Sequence, residues 1–136
     1  MEKLSRTLLV VDDEPTIVFA MTRFFGARGF SVESAADMNA AVDHLDRCCP
    51  EVAIVDLRLG GLGDTKGLEV LEQLRARCPN TAALLLTAYG SRTIEAEARR
   101  RGADLVLQKP TPLPSLANDV ARLLESRADR DRGGRG

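Results

Sequence analysis

Apolar residues along this chain gather in five short runs, and each is followed by a stretch in which they recur at helical spacing. Thr7 to Val11, Val52 to Val55, Thr81 to Leu86 and Leu105 to Leu107 are nearly or wholly unbroken, the pattern of strands covered on both faces in a parallel sheet. Phe30 to Ala35 alternates weakly and predicts an outer strand. A first helix opens at Pro15, whose missing N–H costs nothing in a first turn; Ile17, Met21, Phe24 and Phe25 carry it to Gly26 and Gly29. Asp37 caps a second helix that sets Met38, Ala41, Val42 and Leu45 on one face. Leu68, Leu71 and Leu74 mark a third, which stops near Cys78 and Pro79. Ser91 to Arg101 is a fourth, with Ile94 as its only large apolar residue and Gly102 as its stop. Leu113, Leu116, Val120, Leu123 and Leu124 give the fifth and clearest amphipathic helix.

Strands alternating with helices imply right-handed crossovers, so the expected class is α/β: a doubly wound five-stranded parallel sheet in the flavodoxin-like order 2-1-3-4-5 with five flanking helices. At 136 residues and 44% hydrophobic content the chain holds one domain with an adequate core. Residues 1–6 are expected to be an N-terminal extension and 7–126 the domain. Residues 127–136, which carry nothing apolar larger than alanine, are expected to be a disordered charged tail.

Charge narrows the partners. Nineteen basic residues against 20 acidic ones leave a formal charge of −1, with no global field for nucleic acid or an anionic membrane. The tail, with four arginines against two aspartates, is too mixed and short for a nucleic-acid arm. No apolar run approaches the ~20 residues of a membrane span, and the first seven residues lack the core of a signal peptide. A cytoplasmic protein that neither inserts in membranes nor binds nucleic acid directly is expected. Cys48, Cys49 and Cys78 are odd in number and lack C-x-x-C spacing, so the expectation is reduced thiols rather than zinc or a disulfide framework.

The chemistry lies where the runs end. The first strand delivers Asp12, Asp13 and Glu14, the third Asp56, the fourth Thr87 and the fifth Lys109. In the order 2-1-3-4-5 the first and third strands are neighbours, so Asp12, Asp13 and Asp56 converge at the switch point, where open parallel sheets bind ligands. Clustered carboxylates repel one another and need a cation or protonation. An all-oxygen set selects a hard ion, and Mg²⁺ fits best. With Lys109 as a fixed positive charge and Thr87 as a hydroxyl donor, the constellation suits a phosphoryl group, and Asp56 is the candidate nucleophile that would carry it as an acyl phosphate. Gly60, Gly61 and Gly63 let backbone approach a ligand but lack the lysine–serine ending of a phosphate loop.

These features together resemble the receiver domain of two-component response regulators, over Thr7 to about Arg127. The resemblance implies a stand-alone, single-domain regulator whose Asp56 accepts a phosphoryl group from a sensor histidine kinase or a histidine phosphotransfer protein. It implies Mg²⁺ held by Asp13, Asp56 and the backbone carbonyl of Arg58, with Asp12 acting through the ion or its water. Thr87 and Lys109 would bind phosphoryl oxygens, and Lys109–Pro110 would be a cis peptide bond. Output would pass to a downstream protein through the face made by helix four, strand five and helix five. The chain would catalyse only its own phosphorylation and dephosphorylation, and so is not expected to be an enzyme.

Departures from the family pattern bear on output. Gly60 stands where receivers usually place proline, and Gly67 comes three residues after the usual glycine position. Val106 stands where they usually carry tyrosine or phenylalanine. Tyr89 is a substitute aromatic from the neighbouring loop, and Arg58 and Tyr89 flank the acceptor, where they would tune access of water to the acyl phosphate. Arg99 to Arg101 is either a solvated helix end or a docking patch, and His44 is expected on an exposed or half-exposed side of the second helix without a phosphotransfer role. Asp12 and Asp13 taken alone would be helix caps. Two other functions stay open: an adaptor that keeps the fold without phosphorylation, and a phosphotransferase of the haloacid-dehalogenase type. The latter wants its nucleophile on the first strand as D-x-D-x-T, against Asp12-Asp-Glu-Pro-Thr16 here, and a cap domain for which there is no room.

Overall fold

The structure, a computed structural model, describes residues 6–59, 65–88 and 91–133. The elements alternate throughout: β1 (Arg6–Val11), α1 (Pro15–Gly26), β2 (Phe30–Ala35), α2 (Met38–Arg47), β3 (Val52–Asp56), α3 (Lys66–Arg77), β4 (Ala82–Thr87), α4 (Arg92–Arg100), β5 (Leu105–Gln108) and α5 (Leu113–Gly133). All strand pairs are parallel, in the order β2-β1-β3-β4-β5. The architecture is the doubly wound α/β sheet expected from the apolar runs, with β1 opening one residue early at Arg6 and β4 shifted to end on Thr87.

The unbroken runs are unbroken because both faces of the central strands are covered. Leu9, Val11, Ala53, Val55, Ala83 and Leu85 point to one side, where they meet α2, α3 and α4 through Leu45, Leu71, Leu74 and Ala98. Leu8, Val10, Val52, Ile54, Leu84 and Leu86 point to the other, against Met21 and Phe25 of α1 and Leu116 and Val120 of α5. Burying a leucine or phenylalanine fully is worth about 1.5–3 kcal/mol, so these two layers hold the strand ends in fixed positions. Local signals agree: the Asp37 carboxylate accepts the Ala40 N–H at 2.8 Å to cap α2, and the Ser91 hydroxyl caps α4 through the Ile94 N–H.

Two expectations are corrected. The charged segment after Arg127 is not a disordered tail, since α5 continues to Gly133; residues 134–136 lie outside the described residues. Anchoring is polar rather than apolar: the Arg127 guanidinium donates to the Asn80 carbonyl at 3.0 Å and to the Asp104 carboxylate at 3.2 Å. A helix already nucleated extends at little cost through arginine, a good helix former.

The cysteines are not all reduced. Cys49 and Cys78 form a disulfide with Cα atoms 5.6 Å apart, and Cys48 is free and exposed. Register explains the pairing. Val52 sits beside Ala82 in the parallel ladder, so the residues just before β3 and just before β4 are neighbours although 29 positions separate the two cysteines.

Candidate phosphoacceptor site

Asp12 directly follows β1 and Asp56 is the last residue of β3, so the adjacency of these strands places both carboxylates at one edge of the sheet. The side-chain oxygens of Asp12, Asp13 and Asp56 can be chosen so that all lie within 4.8 Å of one another. Asp12 and Asp56 are buried, at 3% and 8% exposure, while Asp13 faces solvent. From the far side, the Lys109 ammonium lies 3.0 Å from Asp56 Oδ1. The Lys109 N–H donates to the Thr87 carbonyl at 2.8 Å, and the Lys109–Pro110 peptide bond is cis. Thr87 ends β4 and is buried at 2% exposure. Four strand ends therefore bring Asp12, Asp13, Asp56, Thr87 and Lys109 to the same edge, the convergence that the strand order predicted.

Electrostatics matches the crowding. Burial, above all, pushes the carboxyl groups of Asp12 and Asp56 above the usual aspartate range. Neighbouring negative charge adds to this, from Asp56 and Asp13 on Asp12 and from Asp13 on Asp56. Opposing it, Lys109 pulls Asp56 down by hydrogen bond and charge, and Arg58 does so by charge; the Glu14 N–H, donating to Asp12 Oδ1 at 2.9 Å, pulls Asp12 down. Asp12 does not cap α1: Glu14 holds the cap position without a side-chain bond, and the Asp12 carboxylate accepts the Glu14 N–H just ahead of the helix. The donor set fits a hard divalent cation: oxygen only, carboxylate-rich and open to solvent on the Asp13 side.

Gly67 is the residue whose role the sequence obscured. Its N–H donates to the Leu57 carbonyl at 2.9 Å, and a Cβ there would lie 2.4 Å from the Asp56 carbonyl oxygen and 2.7 Å from Leu57 Cα. The first turn of α3 packs directly on the backbone of the acceptor, and only glycine permits it. A glycine in the first turn of a helix, where it is disfavoured, is the signal that could have shown this.

Val106 is half-buried and packs with Ile94 against the core beside α2 and α3. Next to Thr87 an open pocket of about 320 Å³ is bounded by Ser91, Ile94, Glu95, Val106 and Gln108. Tyr89 and the Gly60 to Gly63 loop lie outside the described residues. His44 is half-buried on α2. The three arginines at the end of α4 engage in local pairs: Arg99 with Glu95 at 3.4 Å, Arg100 with Glu97, and Arg101 with Glu97 at 2.5 Å and with Glu72 of α3 at 3.6 Å. That is the arrangement of a solvated helix end.

Residues 8–121 match the sequence profile of the response regulator receiver domain. The chain belongs to the response regulator receiver family. Among similar proteins is the photosynthetic apparatus regulatory protein RegA of Rhodobacter capsulatus, 35% identical over 124 residues that cover 91% of this chain and 64% of that protein. The receiver spans under two thirds of the length of such curated relatives. A response regulator from Burkholderia pseudomallei is 28% identical, with a TM-score of 0.79 over 92% of this chain and 72% of that one. Its crystal structure carries a phosphorylated aspartic acid, a calcium ion and citrate. A CheY-like receiver from Methanospirillum hungatei has a TM-score of 0.87 over 93% of this chain and 99% of that one; at 23% identity it speaks to the fold alone. Among the described residues of this receiver, no helix is long and apolar enough to cross a membrane.

Proposed function

We propose that this receiver accepts a phosphoryl group on Asp56 and signals by binding another protein in its phosphorylated form. One observation carries the reading: three carboxylates within 4.8 Å of one another, with an ammonium 3.0 Å from the Asp56 carboxylate. The donor is the phosphohistidine of a sensor histidine kinase or histidine phosphotransfer protein. An Asp56 carboxylate oxygen attacks phosphorus in line, an acyl phosphate bond forms, and the bond to the histidine nitrogen breaks. Lys109 offsets negative charge on the transferred group, and the Thr87 hydroxyl donates to one of its oxygens. Asp13, Asp56 and the Arg58 carbonyl would hold Mg²⁺, with Asp12 acting through the ion or its water. When bound, that ion supplies positive charge against the equatorial phosphoryl oxygens.

Phosphorylation would bias a two-state element rather than create one. The face of α4, β5 and α5 would present the change to a downstream protein. Val106 leaves space beside Thr87 where other receivers usually carry a ring, so Tyr89 is assigned the gating part, with Arg58 tuning attack by water. The chain acts catalytically on itself alone, as a signalling module located in the cytoplasm.

Incubation with Mg²⁺ and a small acyl phosphate, followed by intact mass, tests the proposal on wild type and Asp56→Asn. A phosphoryl adduct on wild type alone supports it. No adduct with any donor favours the unphosphorylated adaptor, a reading motivated by Val106 and the open pocket. Repeated turnover of phosphate monoesters without Asp56 would favour a hydrolase.

A further inference from the structure

At the end of the sheet where β3 and β4 begin, far along both strands from Asp56, the disulfide joins two loops that other bonds already hold together. The Thr81 hydroxyl donates to the Pro50 carbonyl at 2.7 Å, the Ala82 N–H to the Glu51 carbonyl at 3.0 Å, and Arg77 pairs with Asp46 at 2.6 Å across the ends of α3 and α2. A staple laid over contacts of this kind is not needed to close the fold. We propose that Cys49–Cys78 is a reversible thiol–disulfide site, opened by dithiol reductants and closed by small disulfides of the glutathione class.

Access is one-sided, as exchange requires. Cys49 is exposed while Cys78 is buried at 2% exposure, and a pocket of about 280 Å³ between Pro50, Arg77, Pro79 and Asn80 adjoins both. An incoming thiolate can therefore reach Cys49 Sγ and expel Cys78 as the leaving group. Both redox forms find partners. Cys49 Sγ lies 3.7 Å from the Arg77 carbonyl and Cys78 Sγ 3.9 Å from the Leu45 carbonyl, so each thiol formed by reduction already faces an acceptor for its S–H.

Cys48 takes no part. Its backbone is extended, at φ −163° and ψ 139°, and successive side chains of an extended chain point to opposite sides. The second thiol must then come from the reductant. Its first thiolate attacks Cys49 Sγ, the Cys49–Cys78 bond breaks, and the Cys78 thiolate takes up a proton. The second thiolate attacks the mixed disulfide and releases Cys49, which is protonated in turn. Two electrons and two protons pass from the dithiol, which becomes a disulfide; small disulfides return the pair to its closed state by the reverse exchanges.

The test uses the full chain without denaturant. After equilibration with oxidised glutathione and removal of the excess, dithiothreitol is added, samples are quenched in acid, alkylated in denaturant and weighed. Before reduction Cys48 alone is expected outside the disulfide, as one alkylated cysteine or one glutathione adduct, and three alkylated cysteines are expected after it. The rate should rise in proportion to dithiol concentration and stay unchanged by urea below the unfolding transition. Oxidised glutathione should restore the starting state, and Cys48→Ser should leave the reduction rate as it was. The Cys49→Ser/Cys78→Ser variant should fold, by circular dichroism. Three alkylated thiols at the outset would overturn the proposal. So would a rate that climbs steeply with urea, loss of the cycle in Cys48→Ser, or failure of the double variant to fold.

Discussion

Where the strands begin, polar groups are matched to one another; where they finish, negative charge is crowded together. Arg75, at the first of these ends, donates to the carbonyls of Gly102, Pro79 and Thr81 and to the carboxylate of Asp104. Asp104 in turn accepts from the Ala83 N–H and from Arg127. One guanidinium and one carboxylate thereby tie α3, the start of β4, the turn before β5 and α5 at Arg127. At the other end, three carboxylates crowd together with the Lys109 ammonium 3.0 Å from Asp56, and burial drives two of them toward protonation. The first end holds the fold closed. The second carries an unfavourable charge arrangement that a bound cation would relieve.

The largest expected effect comes from breaking the division itself, with a packing lesion at the charged end. Gly67→Ala places a methyl group 2.4 Å from the Asp56 carbonyl oxygen, against backbone that cannot swing aside. A loss of about 3 kcal/mol or more is expected, together with slowed phosphoryl uptake, because α3 and the acceptor strand must part. Urea denaturation and the mass assay check both; unchanged stability would remove the close approach from the account.

Arg75→Ala should cost about 2–3 kcal/mol by taking the donor from the carbonyls of Gly102, Pro79 and Thr81, yet leave acyl phosphate uptake by the folded chain unchanged. Arg75→Lys should recover little, since an ammonium cannot reach both loops as the planar fork does. A large loss of uptake in a folded Arg75 variant would show that the two ends are not independent.

The smallest effect has the opposite sign. Because the folded-state carboxyl of Asp12 is raised above its unfolded value, its contribution to stability is full below the unfolded range, and is lost as pH rises through the raised value. At neutral pH without metal, Asp12 is therefore a liability. Asp12→Asn can still accept from the Glu14 N–H, and should raise the thermal midpoint slightly near pH 7 while showing no such advantage at acid pH. Adding Mg²⁺ should stabilise wild type more than this variant. A variant less stable than wild type at neutral pH in a chelator would contradict the charge argument.

Much of this was legible in the sequence because both faces of a central parallel strand are covered. Such strands appear as unbroken apolar runs, and Asp56, Thr87 and Lys109 stand where those runs stop. What was hidden depends on contacts between distant segments. Cys49 meets Cys78 only through the register of β3 on β4, and Arg127 becomes helical anchorage only once Asn80 and Asp104 are beside it. Arg75 reads as an ordinary helix-end cation until its four acceptors are assembled around it. Gly67 seemed displaced along the chain, yet a Cβ there would meet the backbone of Asp56 and Leu57.

The most direct measurement locates the phosphoryl group. Borohydride reduces an aspartyl phosphate to homoserine, so wild type treated with Mg²⁺ and an acyl phosphate, reduced and digested, reports the acceptor by peptide mass spectrometry. The account predicts conversion at Asp56 alone, abolished by a chelator. Conversion at Asp12 or Asp13, or a phosphoryl adduct with Asp56 left intact, would contradict it.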